Sequence, residues 1–132
     1  GAKVTINHTE MQTSAQGSWC KVRATIAPEI GVQIALPTQR WRQRFLQVGC
    51  GGLCGSINLS LSNARGCLPA MNGEFVVAAT DLGHHGSMMD ASWADDPQKR
   101  HDFAWRAHHL TAVPAQAVLQ PLYRQPPKYA SF

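Results

Sequence analysis

The hydrophobic patterning of this 132-residue chain predicts an α/β fold. Apolar residues alternate between Val22 and Leu36, an unbroken apolar run fills 75–79, and apolar residues recur at three- and four-residue steps from Phe103 to Leu122. Period two marks strands with one buried face, a short continuous run marks a strand covered on both faces, and a period near 3.6 marks an amphipathic helix.

In chain order, Val22, Ala24 and Ile26 precede Pro28-Glu29-Ile30-Gly31, and Val32, Ile34 and Leu36 follow it. Two alternating runs around a turn signal predict a β-hairpin over Lys21 to Leu36. Gln43 to Val48 is a third short strand, reached through the polar Thr38 to Arg42 stretch and ended by Gly49, Gly51, Gly52 and Gly55. Glycines that dense carry too much backbone entropy for an element interior, so this segment is a loop. Residues 56 to 73, rich in Ser, Asn and Gly, predict an irregular connection with a short helix near Leu59 to Ala64.

Glu74 to Thr80 carries Phe75, Val76, Val77, Ala78 and Ala79, the pattern of a buried central strand in a parallel sheet. It runs into the glycine-punctuated loop Asp81-Leu82-Gly83-His84-His85-Gly86. Asp96-Pro97 then supplies a helix start, with Asp as the cap and Pro in the first helical position. Phe103, Ala107, Leu110, Val113 or Pro114, Ala117, Val118 and Leu122 form the expected buried stripe, with a break or kink at Pro114 and Pro121. Pro126-Pro127 ends the helix, and Lys128 to Phe132 begins another strand, so further chain is expected beyond it. Early strands antiparallel and later strands parallel by helical crossover complete the α/β reading.

Composition narrows the function classes. A chain 44% hydrophobic and 15% charged belongs with globular domains and can bury its own core. The formal charge of +4 is dispersed, and Arg40, Arg42 and Arg44 alternate around Trp41 as on a solvated face. With no helix-turn-helix, zinc-finger or RNA-binding aromatic signature, nucleic acid is not an expected partner. No apolar run approaches the ~20 residues of a membrane span, and the start lacks a signal-peptide pattern.

Cys20, Cys50, Cys54 and Cys67 could pair in several ways. Cys50 and Cys54 are separated by Gly51-Gly52-Leu53, one residue more than a redox or zinc knuckle has. Disulfides among the three clustered cysteines, with Cys20 left for a partner outside the chain, are preferred to zinc. They point to a secreted or periplasmic protein.

Chemically, the informative segment is Val48-Gly49-Cys50-Gly51-Gly52-Leu53-Cys54-Gly55, a strand running straight into glycines. Glycine lets backbone amides face an anion or polarised carbonyl, as in an oxyanion hole. A dinucleotide-binding loop needs its last glycine one residue earlier, and no phosphate-loop lysine follows. From the residues alone, a structural turn and an anion-stabilising site stand level. His84, His85, His101, His108 and His109, with Asp81 and Asp90, raise a metal-site alternative. Adjacent His84 and His85 diverge on most backbones, no metal signature accompanies them, and ordinary hydrogen-bonded histidines are the commoner explanation. No Gly-x-Ser-x-Gly elbow occurs, so no catalytic Ser can be named.

The residues Trp41, Arg44-Phe45, Gly49-Cys50-Gly51-Gly52, Gly55, Thr80-Asp81-Leu82-Gly83-His84, Asp90-Ala91-Ser92-Trp93-Ala94, Asp102-Phe103, Arg106-Ala107, His109 and Pro127-Lys128-Tyr129 stand in an order and spacing that resembles the tannase and feruloyl esterase family. That family includes mono(hydroxyethyl) terephthalate hydrolases, and the likeness covers roughly residues 20 to 132. It implies an α/β-hydrolase fold and hydrolysis of aromatic or phenolic carboxylic esters by a Ser-His-Asp triad through an acyl-enzyme. Residues 1–132 would be the N-terminal part of the catalytic domain, partnered by the remainder of the polypeptide. The nucleophile elbow would begin just beyond Phe132, and the other triad members would follow a lid domain that often binds calcium. No cofactor or metal is expected in this chain itself. The resemblance assigns oxyanion donors to the backbone of Gly51 or Gly52, makes Asp81, His84 and Asp90 loop-bracing residues, and pairs Cys20 with a cysteine upstream. Arg42-Gln43 in place of the family's Asn-Gly, and the two helix prolines, depart from its pattern. The alternative from another class is a non-catalytic fragment or His-rich metal-binding domain.

Overall fold

A computed structural model describes residues 1–60 and 72–132. The strands are β1 (Val4–Ser14), β2 (Gly17–Ile26), β3 (Ile30–Pro37), β4 (Arg44–Gln47), β5 (Phe75–Thr80) and β6 (Tyr129–Ser131). They form one sheet in the order β1-β2-β3-β5-β4-β6. β1, β2, β3 and β5 pair antiparallel in that order, whereas β4 runs parallel to both β5 and β6. The expected hairpin is present, with Ile26 opposite Ile30 and Val22 opposite Ile34. β5 is the buried central strand, but it is parallel to its neighbour on one side only.

The register places Val22, Ile34, Ala78 and Gln47 across one face, with Ile26, Ile30, Val32, Phe45 and Val76 beside them at even spacing. All of these are buried. β1 was not expected from the sequence, because it has no apolar alternation and only Glu10 is even half-buried. β-branched Val4, Thr5, Ile6, Thr9 and Thr13 and ten register pairs with β2 hold it in place. The helix expected near Leu59 to Ala64 falls largely outside the described residues, as does Cys67.

One helical path covers the inner face. It starts at α1 (Pro97–His101), passes through a π turn at Asp102–Arg106, and continues as α2 (Ala107–Ala117) and α3 (Leu119–Tyr123). Asp96 caps it by accepting from the amides of Gln98 at 2.8 Å and Lys99 at 3.4 Å. Of the expected apolar stripe, Ala107 is fully buried and Phe103, Leu110 and Val118 pack half-buried against the core, whereas Val113, Ala117 and Leu122 are exposed and Asp102, Thr111, Ala115 and Leu119 complete the buried line. Small Ala and Thr side chains let the helix approach closely, while Val113 and Leu122 stay exposed. α2 runs through Pro114, and the break comes instead at Val118, whose amide bonds the Pro114 carbonyl at 3.1 Å. Pro121 sits within the first turn of α3, where a missing N–H costs little.

Asp102 anchors this path. Its Oδ1 accepts from Arg106 Nη1 at 2.6 Å and Gln98 Nε2 at 3.0 Å, and Arg106 Nη2 reaches the Ala27 carbonyl at 2.8 Å. The helix is thereby tied to the β2–β3 turn. Gly83, at φ +86°, passes so close that a Cβ there would lie 2.7 Å from the Asp102 Cβ.

Candidate active site

Because β4, β5 and β6 are parallel, the chain leaves all three at the same edge of the sheet. In open α/β sheets this C-terminal edge is where ligands bind. The glycine loop after β4 and the loop after β5 meet there. The Leu53 amide donates to the Met88 carbonyl at 2.8 Å, the Gly55 amide to Asp81 O at 3.3 Å, and the Gly86 amide to Gly55 O at 3.0 Å. Two glycines are required by this contact: a Cβ on Gly52 would lie 2.6 Å from the Met88 carbonyl oxygen, and one on Gly55 2.7 Å from that of Gly86. Both have left-handed backbones, at φ +58° and +87°.

Within the loop, Cys50 and Cys54 form a disulfide, and the Cys54 amide donates to Gly51 O at 3.1 Å. Gly51 and Gly52 are exposed, and neither amide donates to another atom among the described residues. A Cβ on Gly51 would meet nothing within 4 Å among the described residues. Two exposed glycines whose N–H groups are free among the described residues, on a braced loop, can donate to an anion or to a carbonyl oxygen gaining charge. Gly49 lies beside the last residue, its Cβ position 3.5 Å from the Phe132 ring. Cys20, half-buried on β2, has no disulfide partner among the described residues.

His84 is buried behind the glycine loop. Its ring stacks on Trp93 with centroids 4.1 Å apart, lies 6.0 Å from the Phe103 centroid, and its Nε2 donates to the Leu53 carbonyl at 2.6 Å. Asp81, also fully buried, accepts from the amides of Gly31 at 3.0 Å and Gly83 at 2.8 Å. It joins the start of β3 to the loop after β5. Its Oδ2 has no hydrogen-bond donor among the described residues, and exposed His85 approaches at 3.6 Å. Burial raises the Asp81 carboxyl above its usual range, outweighing the two amides and the nearby histidines. Asp90 is half-buried and accepts from the Ser92 amide at 2.9 Å, which lowers its pKa, while its carbonyl takes the Trp93 indole N–H at 2.8 Å.

The other histidines go separate ways. Gln47 Nε2 donates to His108 Nδ1 at 3.2 Å and to its carbonyl at 3.0 Å, and burial lowers the His108 pKa. His109 lies against Trp105 instead. Among the described residues no three His, Cys, Asp or Glu side chains converge to hold a metal. Sequence reasoning missed the parts played by Leu53, Met88 and Gly31, since all three act through backbone atoms that carry no residue-type signal.

A family model described as tannase and feruloyl esterase matches residues 13–132. The chain is 31% identical over 123 residues to an uncharacterised esterase of Xanthomonas campestris pv. campestris, covering 87% of this chain and 20% of that protein. It is 37% identical over 97 residues to a probable feruloyl esterase B-2 of Aspergillus flavus, covering 74% of this chain and 17% of that one. The chain thus spans about a fifth or less of the length of these relatives. Among solved structures it superposes on feruloyl esterase B from Aspergillus oryzae with a TM-score of 0.77 at 21% identity, and on a tannin acyl hydrolase from Aspergillus niger at 0.70 and 20%. In both, 97% of this chain is matched, to 29% and 28% of the other, and the likeness is one of fold. With the family model spanning nearly the whole chain, and the braced glycine loop at the C-terminal edge of the parallel strands, the chain belongs to the tannase and feruloyl esterase family.

Proposed function

We propose that residues 1–132 are the N-terminal part of an α/β-hydrolase catalytic domain that hydrolyses carboxylic esters of aromatic or phenolic acids. The observation that carries this reading is the pair of exposed glycines Gly51 and Gly52, whose amides have no partner among the described residues, on a loop fixed from behind. A Ser supplied by the segment following β6 attacks the ester carbonyl, and a His takes its proton with an Asp orienting the ring. The Gly51 or Gly52 amide, together with one beyond Phe132, bonds the oxygen that becomes negative. One such donor contributes ~3 kcal/mol to the transition state, because it is already aimed when charge develops. The alcohol then leaves with the proton, and water resolves the acyl-enzyme by the same route. Asp81, His84 and Asp90 brace the loops and do not touch the reacting atoms.

The proximity of Gly49 to Phe132 supports the placement of the nucleophile. The parallel β4 and β6 bring the glycine loop and the end of β6 to one edge, as attack on a single carbonyl requires. Feruloyl, galloyl and terephthaloyl esters share a planar aromatic acyl group and are the substrate class. No cofactor is assigned to this chain, and calcium, if bound by the enzyme, belongs to its lid. The Cys50–Cys54 disulfide supports export to the periplasm or outside the cell.

The complete protein should hydrolyse methyl ferulate, methyl gallate or a terephthalate monoester, and a fluorophosphonate should label one Ser and abolish the activity. Absence of both hydrolysis and labelling would overturn the reading.

A further inference from the structure

We propose that the Cys50–Cys54 disulfide is a positioning element for the Gly51 and Gly52 amides, and that its reduction by a dithiol lowers ester turnover. This rests on the ester-hydrolase reading. After the Val48 amide bonds the Ala78 carbonyl at the loop's start, the hydrogen bonds that anchor the loop among the described residues fall on its far half: Leu53 bonds Met88 and receives His84, while Gly55 bonds Asp81 and Gly86. Among the described residues none reaches the amides of Gly51 or Gly52, and none stands where a side chain on Gly51 would be. Gly52 is held on one side by its close packing against the Met88 backbone, but among the described residues Gly51 is confined only by the turn bond from the Cys54 amide to its carbonyl and by the covalent ring from Cys50 to Cys54. Two adjacent glycines have the widest conformational freedom of any dipeptide, so an open loop would aim their N–H groups poorly. Closing the ring removes most of that freedom.

Cys54 supplies an independent sign. It holds a left-handed backbone, φ +60°, that glycine adopts far more readily than a residue with a Cβ. A cysteine occupies the position, and its sulfur forms the staple while the side chain is buried under the loop. The half-buried Cys50 is the more accessible sulfur. A dithiol's thiolate attacks it and expels the Cys54 thiolate, and the dithiol's second thiol then displaces Cys50 and closes the reagent's own ring. Two electrons pass to the protein disulfide, two protons accompany them, and two cysteine thiols result.

The test uses the complete protein, an aromatic ester and dithiothreitol, with alkylation and mass spectrometry to confirm that Cys50 and Cys54 have been reduced. Reduction should lower kcat by about tenfold, part of the ~10²-fold carried by one oxyanion donor, and leave KM within about threefold. Hydrogen exchange in the peptide spanning 49–55 should rise together with the loss of kcat. The Cys50→Ala/Cys54→Gly double variant, in which glycine accepts the left-handed backbone, should match the reduced protein and no longer respond to dithiol. If it does not fold, the reduced and alkylated native protein decides alone. Unchanged kcat in protein shown to be reduced at both cysteines, or faster exchange without loss of kcat, would overturn the proposal. A protein that shows no ester turnover when oxidised would refute the hydrolase reading instead, leaving exchange to report whether the disulfide orders the loop.

Discussion

The His84 ring donates from Nε2 to the Leu53 carbonyl at 2.6 Å, a bond between residues 31 positions apart that locks the loop after β5 to the loop after β4. Trp93 and Phe103 fix the ring on its other sides, so the helical layer, the central strand and the glycine loop share one contact point. Loss of the ring would leave a buried carbonyl unpaired and a cavity beside two aromatics. His84→Ala should cost about 3 kcal/mol, read as a lower midpoint in urea unfolding, and should lower kcat in the complete protein. A midpoint within error of the native one would show that the bond does not brace the loops.

Gly51 and Gly52 should respond differently to the same substitution. Gly52→Val places a branched side chain against the Met88 carbonyl on a left-handed backbone, so it should destabilise the fold and reduce turnover together. Gly51→Val meets no described residue, so its thermal midpoint should stay close to native while kcat falls by ~10²-fold through the side chain crowding the proposed oxyanion position. Full activity of Gly51→Val would remove that residue from the oxyanion site.

Asp81 and Asp90 should shape acid stability with opposite signs. Burial raises the Asp81 pKa above 3.8, so the folded chain binds that proton more readily than the unfolded one. Its contribution therefore weakens as pH rises from about 3.8 through the raised value and is constant above it. The lowered Asp90 pKa contributes stability above 3.8 that is lost as pH falls through the folded value. In urea midpoints measured against pH, Asp81→Asn should gain most relative to the native protein above this window, whereas Asp90→Asn should lose there. Parallel curves for all three proteins would contradict the assignment.

Asp102→Ala removes the buried partner of Arg106 and should destabilise by about 3 kcal/mol. Arg106 keeps its bond to the Ala27 carbonyl, so the helix should stay docked and circular dichroism should show native helix content. A loss below about 1 kcal/mol would mean the pair is no stronger than an exposed one.

Thr111 carries a buried hydroxyl with no partner among the described residues, against the sheet. Thr111→Val keeps the shape and removes the unpaired group, so it should raise stability by about 1 kcal/mol. A lower thermal midpoint would reveal that the hydroxyl is satisfied.

What was legible in the sequence was what residue type encodes. Alternation located β2 and β3, the apolar run located β5, and Asp96-Pro97 marked the helix start, because burial and capping select particular side chains. β1 was illegible because a strand held by pairing along one edge needs no apolar face. The helix face was legible in part: Phe103, Ala107, Leu110 and Val118 pack toward the core, but Thr111 and Ala115 were missed because close approach to the sheet favours small side chains, which hydrophobicity ranks low. At the candidate site the glycine loop, Asp81, His84 and Asp90 were all identifiable, and the structure brings their two loops together. Which partners they would hold was hidden, since Leu53, Met88 and Gly31 contribute backbone groups common to any residue.

The π turn at Asp102–Arg106 gives the chain tolerance to a change in length. Asp102 and Ala107, five residues apart, are both buried, whereas an uninterrupted α-helix brings back the same face after three or four. The wide turn thus absorbs one residue without rotating α2 about its axis. Removing exposed Ala104 would leave the two buried positions four apart and still in phase, with Arg106 three residues from Asp102 and within reach of it. A chain one residue shorter here would therefore still present the same surface of α2 to the sheet.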